Sequence, residues 1–377
     1  MREYLKISNF GPIVTVELND IRPLTILIGE SGSGKSTIMK VLSLFRWLYK
    51  RENLRSFLQE SGIKQTTIRT RVKTLLKISG IDEFLKPNTE IIYRRGNYEI
   101  AIRKGKLSRG SRIRKEDLSL EKICFISDKR SIISDFLNHR LDKRIANYYL
   151  KDTIDNFLLA SKYIKSLDID YLGIKLKIDK VNGVETYRVY GIGETENFKI
   201  NIQNASSGMQ TVLPLSMIVE YYAKYFDPVA AMNSSLLEYM ADSDSLHDFK
   251  PIQNIGNITE QNIHLQIEEP ELSLYSESQL QLMDFLVRRC FDDNHSYNMT
   301  LMLATHSPYI VNYLNLLIRR ARFNNTDNPS IDFQNIDAYE IIAGEAFSLR
   351  IENEQLINAI SLSTPISNIY RDFNNIN

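Results

Sequence analysis

Near the start of the chain the run Gly29-Glu30-Ser31-Gly32-Ser33-Gly34-Lys35-Ser36 has the spacing of a phosphate-binding loop, G-x-x-x-x-G-K-[ST]. Glycine is scarce, 16 in 377 residues, yet three fall inside this run. The chemistry is electrostatic: successive backbone N–H groups turn inward and a helix N-terminus adds its partial positive charge, so phosphates are held there. Lys35 would reach the β- and γ-phosphates of ATP, the Ser36 hydroxyl would ligate Mg2+, and Thr37 completes the binding run.

Two strand ends further on carry groups able to act on a phosphate. Residues 263–271 read I-H-L-Q-I-E-E-P-E. Of the adjacent carboxylates, Glu268 suits the Mg2+ water shell and Glu269 suits orienting or deprotonating the attacking water. The plain alternative is an acidic strand end before the turn at Pro270. Residues 299–308, M-T-L-M-L-A-T-H-S-P, end an apolar strand at His306. A lone histidine is usually structural, but one at a strand end beyond the loop and the Glu pair is placed to donate a hydrogen bond to a γ-phosphate. A third group, Ser206-Ser207-Gly208-Met209-Gln210, precedes an apolar helical stretch. Ser207 and Gln210 fit an S-x-x-Q capping box, an anion-binding helix start that capping alone explains equally well. Pro214 is expected to interrupt or kink that helix within two turns.

These groups need strands and helices to hold them. Leu5, Ile7 and then Val14, Val16, Leu18 alternate with polar neighbours, as in strands. Residues 24–28 (L-T-I-L-I) form a nearly all-apolar run, a strand covered on both faces that leads into the loop. The spacing of Ile38, Val41, Leu42 and Phe45 predicts a helix over 35–49. Residues 90–103 read as a hairpin with Gly-Asn in its turn. Helical spacing recurs over 135–167 through Leu137, Leu141, Ile145, Leu150, Ile154, Phe157 and Leu158, too short for a long coiled-coil arm. Strand-like alternation returns over 170–203, and the polar residues 228–262 read as an irregular surface insertion. The last seventy or so residues read as a closing hairpin and a terminal helix.

Composition excludes several classes. Hydrophobic content of 43% and charged content of 25% exclude wholesale disorder. Two cysteines, Cys124 and Cys290, exclude a disulfide framework and a multi-cysteine metal site; with no signal peptide evident, a cytoplasmic protein is expected. No apolar run reaches the ~18 residues of a membrane-spanning helix, so no membrane partner is expected. The net charge of +1 hides a division: residues 1–150 hold 30 Lys+Arg against 16 Asp+Glu, and the remainder holds 17 against 30. Within the basic half, residues 103–115 carry seven basic residues and no acid, which makes Arg109, Arg112 and Arg114 candidates for contact with DNA or RNA if the stretch is more than a solvated loop.

Taken in order, I-S-N-F-G-P-I, the phosphate loop, S-S-G-M-Q, I-E-E-P-E and T-H-S-P resemble one family. The chain is similar to the ATP-binding-cassette ATPases of the SMC/RecF-type branch, most of all to OLD-like ATPases, whose heads carry strand-N-F-G-P-I openings and E-E-P-E motifs. The resemblance spans the chain in motif order, with residues 50–200 matching only in outline. It implies an α/β fold: a P-loop NTPase of ABC/SMC-head type with a mixed central sheet, an antiparallel N-terminal sheet and a helical subdomain. The parts would be an ATPase lobe over 1–128, a helical and strand insertion over 129–200, and a second ATPase half over 201–377. It further implies a head-to-head dimer, ATP and Mg2+ as cofactors, and catalysis by Glu269, His306 as switch histidine, and Lys35. Ser206, Ser207, Gly208 and Gln210 would form a signature facing the partner's nucleotide.

The chain departs from the family pattern at several points. Met209 stands where transporters and SMC proteins have a second glycine, and Leu272-Ser273-Leu274-Tyr275-Ser276 replaces L-H-L-H-P, which leaves the D-loop on residues 271–274 less typical. OLD nucleases carry a Toprim domain after this point, with a Glu and a D-x-D cluster. Here Asp242-Ser243-Asp244 is a D-x-D that precedes the acidic strand, and a built-in nuclease is rejected. The expected function is an ATPase switch acting on an effector protein, a nuclease or toxin, as in bacterial anti-phage systems. The alternatives are a DNA-repair ATPase on duplex DNA and, behind it, a transporter ATPase subunit.

Overall fold

The computed structural model describes residues 2–60, 71–137, 146–181, 183–193, 198–241, 260–291, 296–323 and 327–376. The chain opens with β1 (Glu3–Phe10), β2 (Ile13–Leu18) and β3 (Leu24–Ile28), followed by α1 (Lys35–Glu60) and α2 (Val72–Ile78). Next come β4 (Leu85–Arg95), β5 (Tyr98–Arg103), β6 (Lys106–Arg109), β7 (Ser119–Ile126), α3 (Ile133–Phe136) and α4 (Tyr148–Tyr163). Four short strands follow: β8 (Ser166–Ile169), β9 (Ile174–Val181), β10 (Val184–Gly191) and β11 (Lys199–Asn201). Then come α5 (Ser207–Lys224), α6 (Pro228–Ala241), β12 (Glu260–Glu268), α7 (Ser276–Phe291), β13 (Asn298–Thr305) and α8 (Pro308–Arg322). The chain closes with β14 (Ile336–Ile342), β15 (Glu345–Ser348), β16 (Arg350–Ile351), β17 (Leu356–Ile357) and α9 (Ile360–Asn375).

One mixed sheet runs β6-β5-β4-β1-β2-β15-β14-β3-β13-β12-β7, and β8–β11 form a separate antiparallel sheet. The expected N-terminal antiparallel strands are therefore one wing of the large sheet rather than a sheet of their own. The other wing is parallel: β14, β13 and β12 each run alongside β3 or its neighbour, in register Ala304↔Leu27 and Glu268↔Ala304. β13 thus lies between the strand that enters the phosphate loop and the acidic strand, and all three C-terminal ends share one edge.

β3 is buried at every position. Leu24, Ile26 and Ile28 join the core under α4, α5, α7 and α8, whereas Leu27 joins the core around α1. That two-sided cover is what the apolar L-T-I-L-I run requires. α1 runs on to Glu60, beyond the expected 49, and it is buried almost all round, including Arg46, Glu52 and Asn53. A helix covered on all sides needs no polar face, so its stripe of Ile38, Val41, Leu42 and Phe45 marks only part of what it buries. The sheet curls about this helix: Arg95 at the end of β4 donates to Glu121 on β7 (2.9 Å) and Glu260 on β12 (3.3 Å).

Several expectations shift. The 228–262 insertion contains α6, whose start is capped by the Asp227 carboxylate accepting from Val229 and Ala230 N–H, with Pro228 opening the helix. Residues 242–259, with Asp242-Ser243-Asp244, lie outside the described residues, as do Leu141 and Ile145 of the expected 135–167 helix. The basic stretch is only partly a loop: residues 106–109 form β6, which pairs with β5 as the edge of the large sheet, and residues 110–114 after it, with Arg112 and Arg114, are irregular. Pro214 sits within α5 without ending it. No described helix is long and apolar enough to cross a membrane.

Candidate functional site

β3 delivers the chain to Gly29, and Gly29, Glu30, Ser31, Gly32, Ser33 and Gly34 turn it into α1, which opens with Lys35, Ser36 and Thr37. Gly29 has φ +153°, and a Cβ there would lie 2.4 Å from the Ile341 carbonyl oxygen, so only glycine fits. Lys35 is 5% exposed and its Nζ donates to the carbonyls of Gly29 and Glu30, each at 2.8 Å. Burial lowers its pKa, against the charges of Glu269 and Glu271. A lysine at a helix N-terminus also opposes the helix dipole. A cation held against both penalties is suited to meet an anion. The buried Ser33 Oγ has no hydrogen-bond partner, an orphaned donor within the loop of the kind a phosphate oxygen satisfies.

The Ser36 hydroxyl faces the Glu268 carboxylate across the helix–strand gap and acts to lower its pKa. Burial raises the Glu268 pKa, with the Lys40 charge and the Ser36 hydroxyl acting against it and the Asp128 charge adding to it. A hydroxyl and a carboxylate facing one another, both oxygen donors, fit Mg2+ beside a triphosphate. Beyond it β12 ends abruptly. Glu269 has φ +43°, its N–H donates to the Ala304 carbonyl (2.8 Å), and its carboxylate lies 3.6 Å from His306 Nε2. The His306 N–H in turn donates to Glu271 Oε1 at 2.7 Å. The structure thus brings Lys35, Ser36, Glu268, Glu269 and His306 to one edge.

The S-S-G-M-Q segment meets that edge from the other side. Its helix is capped by Ser206, whose Oγ accepts from Met209 N–H, not by Ser207 as the S-x-x-Q spacing suggests. Gln210 turns back instead and donates to the carbonyls of Gln203 (2.9 Å) and Ala205 (3.1 Å), tying α5 to the turn before it. Ser206 and Ser207 are exposed. Gly208 is pressed against the loop after β12, where a Cβ would come within 2.8 Å of the Ser273 carbonyl oxygen.

Arg109, Arg112 and Arg114 are away from this edge in sequence and are each ion-paired: Arg109 with Glu52, Arg112 with Glu60, and Arg114 with Glu116 and Asp117. Their charge is met within the chain. Sequence reading missed Arg130, wholly buried behind the acidic strand end. Nothing in S-D-K-R-S distinguished it; its only signal was its place after a strand that proves to neighbour β12.

Fold and site define a P-loop ATPase. The chain belongs to the family described as "AAA domain, putative AbiEii toxin, Type IV TA system", whose family model matches residues 24–312. No curated protein matches it. Among solved structures it is similar to the SMC head domain from Thermotoga maritima, with 10% identity, a TM-score of 0.37, and 93% of this chain and 100% of that one covered. It is similar also to the recombination mediator protein RecF-ATPrS of the RecFOR pathway (11% identity, TM-score 0.36, coverage 92% and 98%). A third is the ATP-binding cassette MJ0796, a dimer in a post-hydrolysis state bound to ADP and Pi (11%, 0.31, 92% and 99%).

Proposed function

We propose that this chain is a head-to-head dimerising ATPase of the ABC type, akin to SMC/RecF and OLD-like heads, that switches a partner effector, a nuclease or toxin, in defence against phage. The observation that carries the reading is the convergence on one sheet edge of the buried Lys35, which donates to the Gly29 and Glu30 carbonyls, and the Glu269–His306 pair 3.6 Å apart. The exposed Ser206 and Ser207 on the same edge support a composite site completed by a second copy. The family's description, which names a toxin of a type IV toxin–antitoxin system, supports a place in a toxin or defence pair. A direct role on DNA has less support, since Arg109, Arg112 and Arg114 are already paired.

When bound, ATP with Mg2+ supplies the scissile phosphoryl group and the cation that neutralises it. Lys35 would exchange its two carbonyl acceptors for phosphate oxygens, and Ser36 with Glu268 would hold the metal. Glu269 orients a water and takes its proton, while His306 donates to the γ-phosphate. The N–H groups at the start of α5 offer the partner's phosphate a helix N-terminus. The test is light scattering of Glu269→Gln with ATP and Mg2+. Twice the monomer mass is expected with ATP and the single mass without; a monomer under both conditions rejects the dimer.

A further inference from the structure

Arg130 sits in the turn after β7 with no exposure to solvent, and its guanidinium meets carbonyls rather than a carboxylate. Nη1 donates to the carbonyls of Glu268 (2.7 Å) and Ser127 (3.2 Å), Nη2 to that of Glu269 (2.6 Å), and Nε to that of Thr211 (3.0 Å). Burial lowers its pKa to about 10, partly opposed by the charges of Glu271, Asp128, Glu269 and Glu268. Desolvating a guanidinium is costly, and an apolar side chain would fill the volume at less expense. What the arginine adds is a rigid planar fork with fixed bond directions. Those directions join the backbone of both acidic residues to the first turns of α5.

A second tie runs in parallel. Thr211 Oγ1 lies 2.9 Å from the Gly208 carbonyl oxygen and 3.0 Å from that of Leu272, its one proton shared between them. Glu269 itself stands in the left-handed backbone region, which a residue with a Cβ holds only when its surroundings over-determine it. The Arg130 bond to its carbonyl and the Glu269 N–H bond to Ala304 do this from both sides of the residue.

We propose that Arg130 is a positioning residue that makes the signature end of α5 and the Glu268–Glu269 strand end one mechanical unit, so that a partner engaging Ser206–Gly208 sets the placement of Glu269. The proposal rests on the ATPase reading above. It assigns Arg130 a role in kcat and none in holding nucleotide, because none of its four bonds reaches residues 29–37.

The test compares Arg130→Lys, Arg130→Ala and Thr211→Val in the full chain. Arg130→Lys keeps the charge but loses the fork; kcat should fall on the order of 10²-fold, with KM and the affinity for a fluorescent ATP analogue essentially unchanged. Guanidinium ion at millimolar concentration should restore part of the turnover of Arg130→Ala and none of that of Lys35→Ala. Thr211→Val, nearly isosteric and so foldable even if the arginine variants are not, should lower kcat without changing affinity. Wild-type kcat in Arg130→Lys or Thr211→Val overturns the proposal, as does a parallel loss of affinity and melting temperature without guanidinium rescue. An inactive wild-type protein instead rejects the ATPase reading itself.

Discussion

The Nε2 atom of His306 lies 3.6 Å from a carboxylate oxygen of Glu269, each side chain about one-third exposed. The two residues directly follow neighbouring parallel strands, whose ends are tied twice more, through Glu269 N–H to the Ala304 carbonyl and His306 N–H to Glu271. A carboxylate and an imidazole facing one opening can share the work on one substrate, Glu269 accepting a proton from water and His306 donating to the phosphate that water attacks.

Glu269→Gln keeps the shape of that arrangement and removes the base. ATP hydrolysis should slow by about 10²-fold or more while nucleotide affinity stays near wild type. Steady-state turnover with equilibrium binding checks both halves. If Glu268→Gln is the block and Glu269→Gln is not, the two carboxylate roles exchange.

Lys35→Ala removes a buried cation that opposes its own helix dipole. Its contribution to folding is therefore small and its contribution to binding large. The melting temperature should stay within about 2 °C of wild type, with ATP binding lost. Calorimetric titration and a thermal melt on one sample decide it; retained affinity rejects the loop assignment.

The three arginines of the basic stretch divide by burial. Arg109 is 16% exposed against a Glu52 that is 4% exposed, so Arg109→Glu sets two carboxylates together in a dry site. Unfolding free energy should fall by roughly 3 kcal/mol. Arg114→Glu, where the side chain is exposed and its partners are screened by water, should leave the unfolding free energy close to wild type. Urea melts compare them; equal effects would show that burial does not govern this edge.

Below the sheet edge, His264 is buried with its ring nitrogens 2.8 Å from Glu121 Oε2 and Thr300 Oγ1. Burial first, then the Arg46 charge, lowers its pKa below 6.5, against the pull of Glu121 and Glu3. The unfolded chain thus binds this proton more tightly, so the histidine's contribution is complete above pH 6.5 and is lost as pH falls below it. For Glu121, burial raises the pKa but Arg95, with His264 and Ser119, more than reverses this and brings it to about 2. Its contribution is present above 4.5 and fades only as pH drops toward 2. Between pH 6.5 and 5, then, His264→Gln should flatten the decline of melting temperature relative to wild type; parallel curves contradict this.

The site was more legible than its supports. The loop, the Glu pair and His306 announce themselves because each is a short local pattern at the end of an apolar run, and strand ends in a parallel sheet converge whatever lies between. Arg130 could not be read, since its partners Thr211, Glu268 and Glu269 are distant in sequence and its value lies in carbonyls, which every residue has. The basic stretch misled for a related reason: Glu52 and Glu60, which meet Arg109 and Arg112, sit on α1, and charge counted along the chain cannot find them. α6 was passed over because polar composition outweighed the Asp227-Pro228 start signal, and the Ser206 cap because Ser207 alone has a glutamine at the right distance.

The central claim is that each ATP is hydrolysed between the loop of one protomer and Ser206–Gly208 of another, and mixing two inactive variants tests it most directly. Ser207→Arg changes an exposed residue and should leave ATP binding intact while abolishing hydrolysis, because bulk and charge hold the heads apart. Lys35→Ala should be inactive through the loop. In a mixed dimer one site carries both lesions and the other carries none, so ATPase activity should reappear on mixing. An inactive mixture in which mixed dimers are shown to form, or normal hydrolysis by Ser207→Arg alone, contradicts the account.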